Sequence, residues 1–87
     1  MLSLPVRLTH VETPPELRSL CAAMDALPAG TSVVIDGQQL SRFDSSALGL
    51  LLSCKRYALA HGRGFSTQAL PRRLVRLASL YGLTGCI

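Results

Sequence analysis

Ser41-Arg42-Phe43-Asp44-Ser45-Ser46-Ala47-Leu48-Gly49-Leu50-Leu51-Leu52 decides the fold. Asp44, Ser45 and Ser46 are residues that hydrogen-bond free backbone N–H groups and so favour helix starts. The six residues after them are almost wholly apolar, and the apolar spacing carries a helix on to about Ala60, with His61-Gly62 as its stop. In this helix Ala47, Leu51, Cys54 and Ala58 fall on one line, and Leu48, Leu52 and Leu59 on an adjacent one. One line faces a sheet. The second serves either the core or a partner surface. Upstream, Ser32-Val33-Val34-Ile35-Asp36 is a β-branched run between Gly30 and Gly37, and it reads as a strand buried on both faces. A seven-residue loop, Gly37 to Phe43, joins that strand to Asp44. The Asp-Ser-Ser step therefore sits at the carboxyl end of a strand, where α/β folds place their sites.

The same reading extends outward in both directions. Pro5 to Thr13 alternates loosely and reads as a strand. Thr13-Pro14-Pro15-Glu16 follows as a helix start with a capping box, and Leu17, Leu20, Cys21, Met24 and Leu27 continue at helical spacing up to Pro28-Ala29-Gly30. Downstream, Gly64 to Leu70 reads as a strand. Pro71 opens a third helix, with Leu74, Leu77, Ala78 and Tyr81 on one face and Arg72, Arg73 and Arg76 elsewhere, and Gly82 ends it. The order is β-α-β-α-β-α, which implies crossovers and an α/β fold: a mixed, mostly parallel sheet of about four strands with helices packed on it.

With 87 residues, the chain fits a single domain, residues 1–87. It is 48% hydrophobic but only 5% aromatic, and leucine supplies 17 positions. A core of this size needs no metal or disulfide staple. Cys21, Cys54 and Cys86 are widely spaced, and no His/Cys cluster suggests a zinc site. They read as two small buried hydrophobes and one tail thiol. No apolar run approaches the roughly 20 residues that span a bilayer, and the start of the chain does not read as a secretory signal. These features point to the cytoplasm.

Charge divides the chain. Residues 1–44 hold three arginines and five acids, a net of −2, whereas residues 45–87 hold six cations and no acid, a net of +6. The second half reads as a basic surface suited to an acidic partner, a nucleic acid or a membrane face. The lack of interleaved aromatics argues against single-stranded nucleic acid, and no nucleic-acid partner is expected. His10 and His61 have no recognisable nucleophile beside them, and no phosphate loop, carboxylate pair, metal set or cofactor motif is present. The expectation is a non-enzymatic binding module. The best candidate residues are Asp44 as the helix cap and Ser45 and Ser46 in the first turn. A phosphate added there would sit beside about half a positive charge.

Asp44-Ser45-Ser46-Ala47-Leu48 resembles the signature of the STAS domain family. The stretches from Lys55 to Gly64 and from Leu70 to Leu83, with its Leu77-Ala78-Ser79-Leu80-Tyr81-Gly82-Leu83 ending, resemble that family's later helices. The resemblance covers roughly Thr31 to Leu83 and is greatest to MlaB-type proteins. It implies a cytoplasmic subunit, peripheral to the inner membrane when in complex. Such a subunit docks on the ATPase of an MlaFEDB-like ABC transporter for phospholipid trafficking, which maintains outer-membrane lipid asymmetry. Contact with the membrane would then be only indirect, through the complex. The docking residues implied are Asp44, Ser45, Ser46, Leu48 and Leu52. The chain also resembles the anti-sigma-factor antagonists, in which Ser45 would be the phosphoacceptor of a partner kinase. Ala47 stands where that branch often has Gly. The family begins with two strands, so here the first is missing or reduced to Met1–Leu4. A missing strand would leave an unpaired edge and a route to a homodimer.

Overall fold

The computed structural model describes residues 1–83 and is of the α/β class. The central strand, β3, is Val33–Asp36, and Val33 and Ile35 are fully buried while Val34 and Asp36 are half-covered. The strand is thus closed on one face and half-open on the other, where the sequence suggested two buried faces. On one side it pairs in parallel with β1, Leu2–Ser3, and on the other with β5, Phe65–Gln68. The register sets Leu2 beside Ile35 and Ile35 beside Thr67. The first family strand is therefore present, short, and paired to the flank of β3 that a missing strand would have left open.

A second small sheet replaces the remainder of the expected four-stranded one. Strand β2, Arg7–Leu8, pairs in parallel with β4, Arg42–Phe43. Pro5 separates β1 from β2 because it has no N–H for a ladder. The Val6 carbonyl instead accepts from Ser41 and Arg42 N–H, at 2.9 and 3.0 Å. Thus the Gly37-to-Phe43 segment, expected as loop, ends in a two-residue strand. The Pro5-to-Thr13 segment is strand only at Arg7 and Leu8, because Thr9 begins the turn into the first helix.

That helix, α1, is Thr13–Asp25. No side chain caps its N-terminus, so the Thr13/Glu16 box suggested by the sequence does not form, and a similar pair closes the turn four residues earlier. Glu12 Oε1 accepts from Thr9 N–H (2.8 Å) and from the Thr9 hydroxyl (2.6 Å), which is the carboxylate half of a capping box. These bonds lower the Glu12 pKa. Helix α2, Ser46–Ala60, and helix α3, Arg72–Leu80, both end in the same way. Gly62 and Gly82 adopt φ of 72° and 71°, and the N–H of the residue after each donates to a carbonyl five residues back, Arg63 to Ala58 and Leu83 to Ala78. This is the Schellman arrangement, and it explains the glycine after His61 and after Tyr81.

One apolar cluster joins the layers. It draws Leu4 from just after β1, Leu8 from β2, Leu20 and Met24 from α1, and Leu74 and Ala78 from α3. From α2 come Ala47, Leu48, Leu50, Leu51, Cys54 and Ala58. Cys54 is fully buried and Cys21 half-buried, whereas Cys86 lies outside the described residues. Arg63, counted in the sequence as part of the basic surface, is instead a buried cation at 9% exposure. Its guanidinium donates to the carbonyls of Leu27 (2.9 Å), Pro28 (2.8 Å) and Thr31 (3.2 Å), tying the turn after α1 to the start of β5. Among the described residues no helix is long and apolar enough to cross a membrane.

Candidate functional site

The site forms where β4 runs into α2. Asp44 holds that junction with both carboxylate oxygens. Oδ1 accepts from Ser46 N–H at 2.8 Å, satisfying a first-turn donor of α2. Oδ2 accepts from His10 N–H at 3.1 Å and lies 3.2 Å from His10 Nδ1. Asp44 is thus both the cap expected from the sequence and a brace to the turn between β2 and α1. The two backbone donors, first Ser46 and then His10, hold its carboxyl down at about 2. The brace joins residues 34 positions apart, and nothing in their separate surroundings signals it.

Ser45 is exposed at the mouth of α2, and Ser46 is half-buried beneath it. The positive end of the helix lies beside the Ser45 hydroxyl, so an anion placed there is electrostatically favoured. Phe43, just before Asp44, is half-buried, and the Arg73 guanidinium carbon lies 5.0 Å from its ring centroid. This cation–π contact brings the first turn of α3 to the edge of the site.

The two apolar lines of α2 separate clearly. Ala47, Leu51, Cys54 and Ala58 are all in the core. In the second line Leu48 is core as well, only 3% exposed, so it supports the helix from below and presents no side chain to a partner. Leu52 is half-buried and Leu59 is 56% exposed. The outward face of α2 runs through Ser45, Gly49, Leu52, Arg56 and Ala60 at three- and four-residue steps. A shallow groove of about 280 Å³ lies between Leu52, Lys55, Arg56 and Leu59, and a second of about 290 Å³ between Ser53, Arg56, Tyr57 and Ala60. Gly49 and Arg56 belong to this face but carry no motif that marks them in the sequence.

At the other end of α2, the Tyr57 hydroxyl donates to Asp25 Oδ1 at 2.6 Å, and the His61 ring stacks on Tyr57 with centroids 4.2 Å apart. These contacts knit α2 to α1, and His61 is occupied within its own helix end, with Nδ1 2.8 Å from the Tyr57 carbonyl oxygen. Among the described residues no group of three or more His, Cys, Asp or Glu side chains is placed to hold a metal ion.

A small parallel α/β layer, with a capped Asp-Ser-Ser step heading an exposed helix face, defines the class as a STAS domain. The family model described as "Mlab, STAS domain" matches residues 3–87. The chain belongs to that MlaB-type STAS family, and the match begins at the first strand, well before the Thr31 at which the sequence resemblance starts. A comparison with curated proteins found no match. STAS domains are generally non-enzymatic and generally act by contact with other proteins.

Proposed function

We propose that this chain is a non-enzymatic binding subunit that docks on the ATPase of an MlaFEDB-like phospholipid-transport ABC system. The observation that carries the reading is the exposed face of α2, headed by Ser45 on the Asp44 brace, in a chain whose family model is the MlaB-type one. Asp44 and Ser46 set the position of that face, and Ser45, Leu52 and Arg56 meet the partner. Leu48 contributes by anchoring the helix. Docking of this kind would make the chain peripheral to the inner membrane through the complex.

The test is co-purification with the ATPase subunit of an MlaFEDB-like transporter from the same host, using Ser45→Arg and Leu52→Asp. Both positions have access to solvent, so both variants are expected to fold, with circular dichroism as the check. Loss of the ATPase from either folded variant supports the reading. Undiminished capture by both removes the α2 face from the interface.

Exposure of the Ser45 hydroxyl also favours a second reading, a phosphorylation-controlled antagonist of an anti-sigma factor. Phosphate would add about −1.5 to −2 charge to the head of the face. Incubation with candidate anti-sigma-factor kinases and ATP, followed by mass spectrometry, tests it. An unmodified Ser45 rules that reading out for the kinase used.

A further inference from the structure

The acid-free second half of the chain leaves a surface that docking through α2 does not use. In α3, Leu74 and Ala78 are buried and Leu77 half-buried, which turns Arg72, Arg76 and Leu80 outward at successive four-residue steps. Arg73 and Val75 flank that line, and both are exposed. Leu80 is 82% exposed and the adjoining Tyr81 59%. An apolar side chain so open, one turn beyond Arg76 at the end of the solvent side of the helix, is a departure from the usual amphipathic pattern. None of the three arginines forms an ion pair with a described residue, since the ion pairs found are Arg7–Glu12 and His10–Asp44.

We propose that the outward face of α3 is a docking surface for anionic lipid headgroups at a bilayer surface. Guanidinium groups match phosphate in charge and fork geometry. Leu80 and Tyr81 project beyond them, as interfacial anchors do, with one end apolar and, for Tyr81, a polar tip. A protruding leucine among cations fits a deformable surface that offers phosphate and hydrocarbon at successive depths. A nucleic acid has phosphate but no hydrocarbon for Leu80. An acidic protein surface would satisfy the arginines while leaving Leu80 in water. The contact is direct, beyond the indirect membrane association that the α2 reading supplies, and it stands whether or not that reading does. Arg73 is engaged with Phe43 beside the α2 site, so Arg72 and Arg76 are the residues to test.

The full chain is sedimented with large unilamellar vesicles of phosphatidylcholine containing about 30% phosphatidylglycerol, against phosphatidylcholine alone. Binding is expected only to the anionic vesicles at low salt, with release near 1 M salt, where the screening length falls to about 3 Å. Each arginine near such a surface is worth about 1 kcal/mol, or roughly five-fold. Arg72→Gln with Arg76→Gln should therefore weaken partitioning by about 25-fold. Leu80→Ser, which keeps every charge, should weaken it by at least about five-fold. All three positions are exposed, and unchanged thermal melts confirm the fold. Wild-type protein that ignores anionic vesicles overturns the proposal. So does a Leu80→Ser variant that binds like wild type, particularly if polyglutamate displaces both equally, since the surface would then be one for acidic protein.

Discussion

Replacing Arg63 by methionine tests the least expected contact in the fold. Methionine keeps the apolar stem of the side chain and removes the charge and the donors. Three hydrogen bonds are lost, to the carbonyls of Pro28, Leu27 and Thr31 at 2.8, 2.9 and 3.2 Å. A bond to a charged group contributes about 1.5–3 kcal/mol. The three share one side chain, the longest is weak, and Pro28 is exposed enough for its carbonyl to regain water. The expected loss is therefore about 3 kcal/mol rather than the sum. An 87-residue domain has roughly 4–13 kcal/mol of stability in all. With a urea slope near 1 kcal/mol/M for a chain this small, the unfolding midpoint should fall by about 3 M. Arg63→Lys, a point charge without the fork, should fall between the two. Equilibrium urea unfolding followed by circular dichroism reads both. A methionine midpoint within about 0.5 M of the parent would show that the carbonyls are satisfied by water and that Arg63 is dispensable.

Three further outcomes follow from the same contacts. The Asp44 carboxyl is held at about 2, below its ordinary 3.8, so its contribution is complete above pH 3.8 and is lost as the pH falls through about 2. Melting temperatures of wild type and Asp44→Asn should differ at pH 5 and converge toward pH 2, and a pH-independent gap would contradict the brace. Burial pushes the Cys54 thiol up to about 12, so native protein treated with iodoacetamide at pH 8 should be labelled at half-buried Cys21 well before Cys54. Equal labelling rates by peptide mapping would show that the α1–α2 interface opens readily. Gly62→Ala forces a methyl into a φ of 72° and should cost about 1 kcal/mol, seen as a melting point about 4–8 °C lower. An unchanged melting point would mean that the helix end relaxes elsewhere.

Much of the architecture could be read from local chemistry. The β-branched Val33–Ile35 run, the Asp44 bond into the start of α2 and the glycines after His61 and Tyr81 each act over a few residues, and each stands where the sequence puts it; α1, however, ends at Asp25, before Leu27 and the Pro28-Ala29-Gly30 stop. What escaped the sequence is long-range. The split of the strands into two sheets depends on which chain takes the Val6 carbonyl, and Ser41 and Arg42 lie more than thirty positions away. Thr13 and Glu16 form a plausible capping pair, but the bonds form between Thr9 and Glu12, four residues earlier, where the chain turns toward the helix. For the candidate site, Asp44, Ser45 and Ser46 were legible from capping preference. Leu48 and Leu52 share a helical line, yet one is core and the other half-open, since the line straddles the boundary of burial. Arg63 was indistinguishable from its exposed neighbours, because no local pattern shows a cation that carbonyls from a distant turn will surround.

The central place of β3 bears on how the chain is made. Its two neighbours come from opposite ends, Leu2–Ser3 before it and Phe65–Gln68 after it, each across a helical crossover. On a ribosome the first pairing is available once residue 36 has emerged, but it is only two residues wide. The broader pairing waits for residue 68, after all of α2 has been synthesised. Until then the Val33–Ile35 flank toward β5 is an open template while the most apolar helix of the chain is already outside. The nascent chain is most adhesive between the emergence of α2 and that of residue 68, and a slow codon stretch placed there would lengthen that stage.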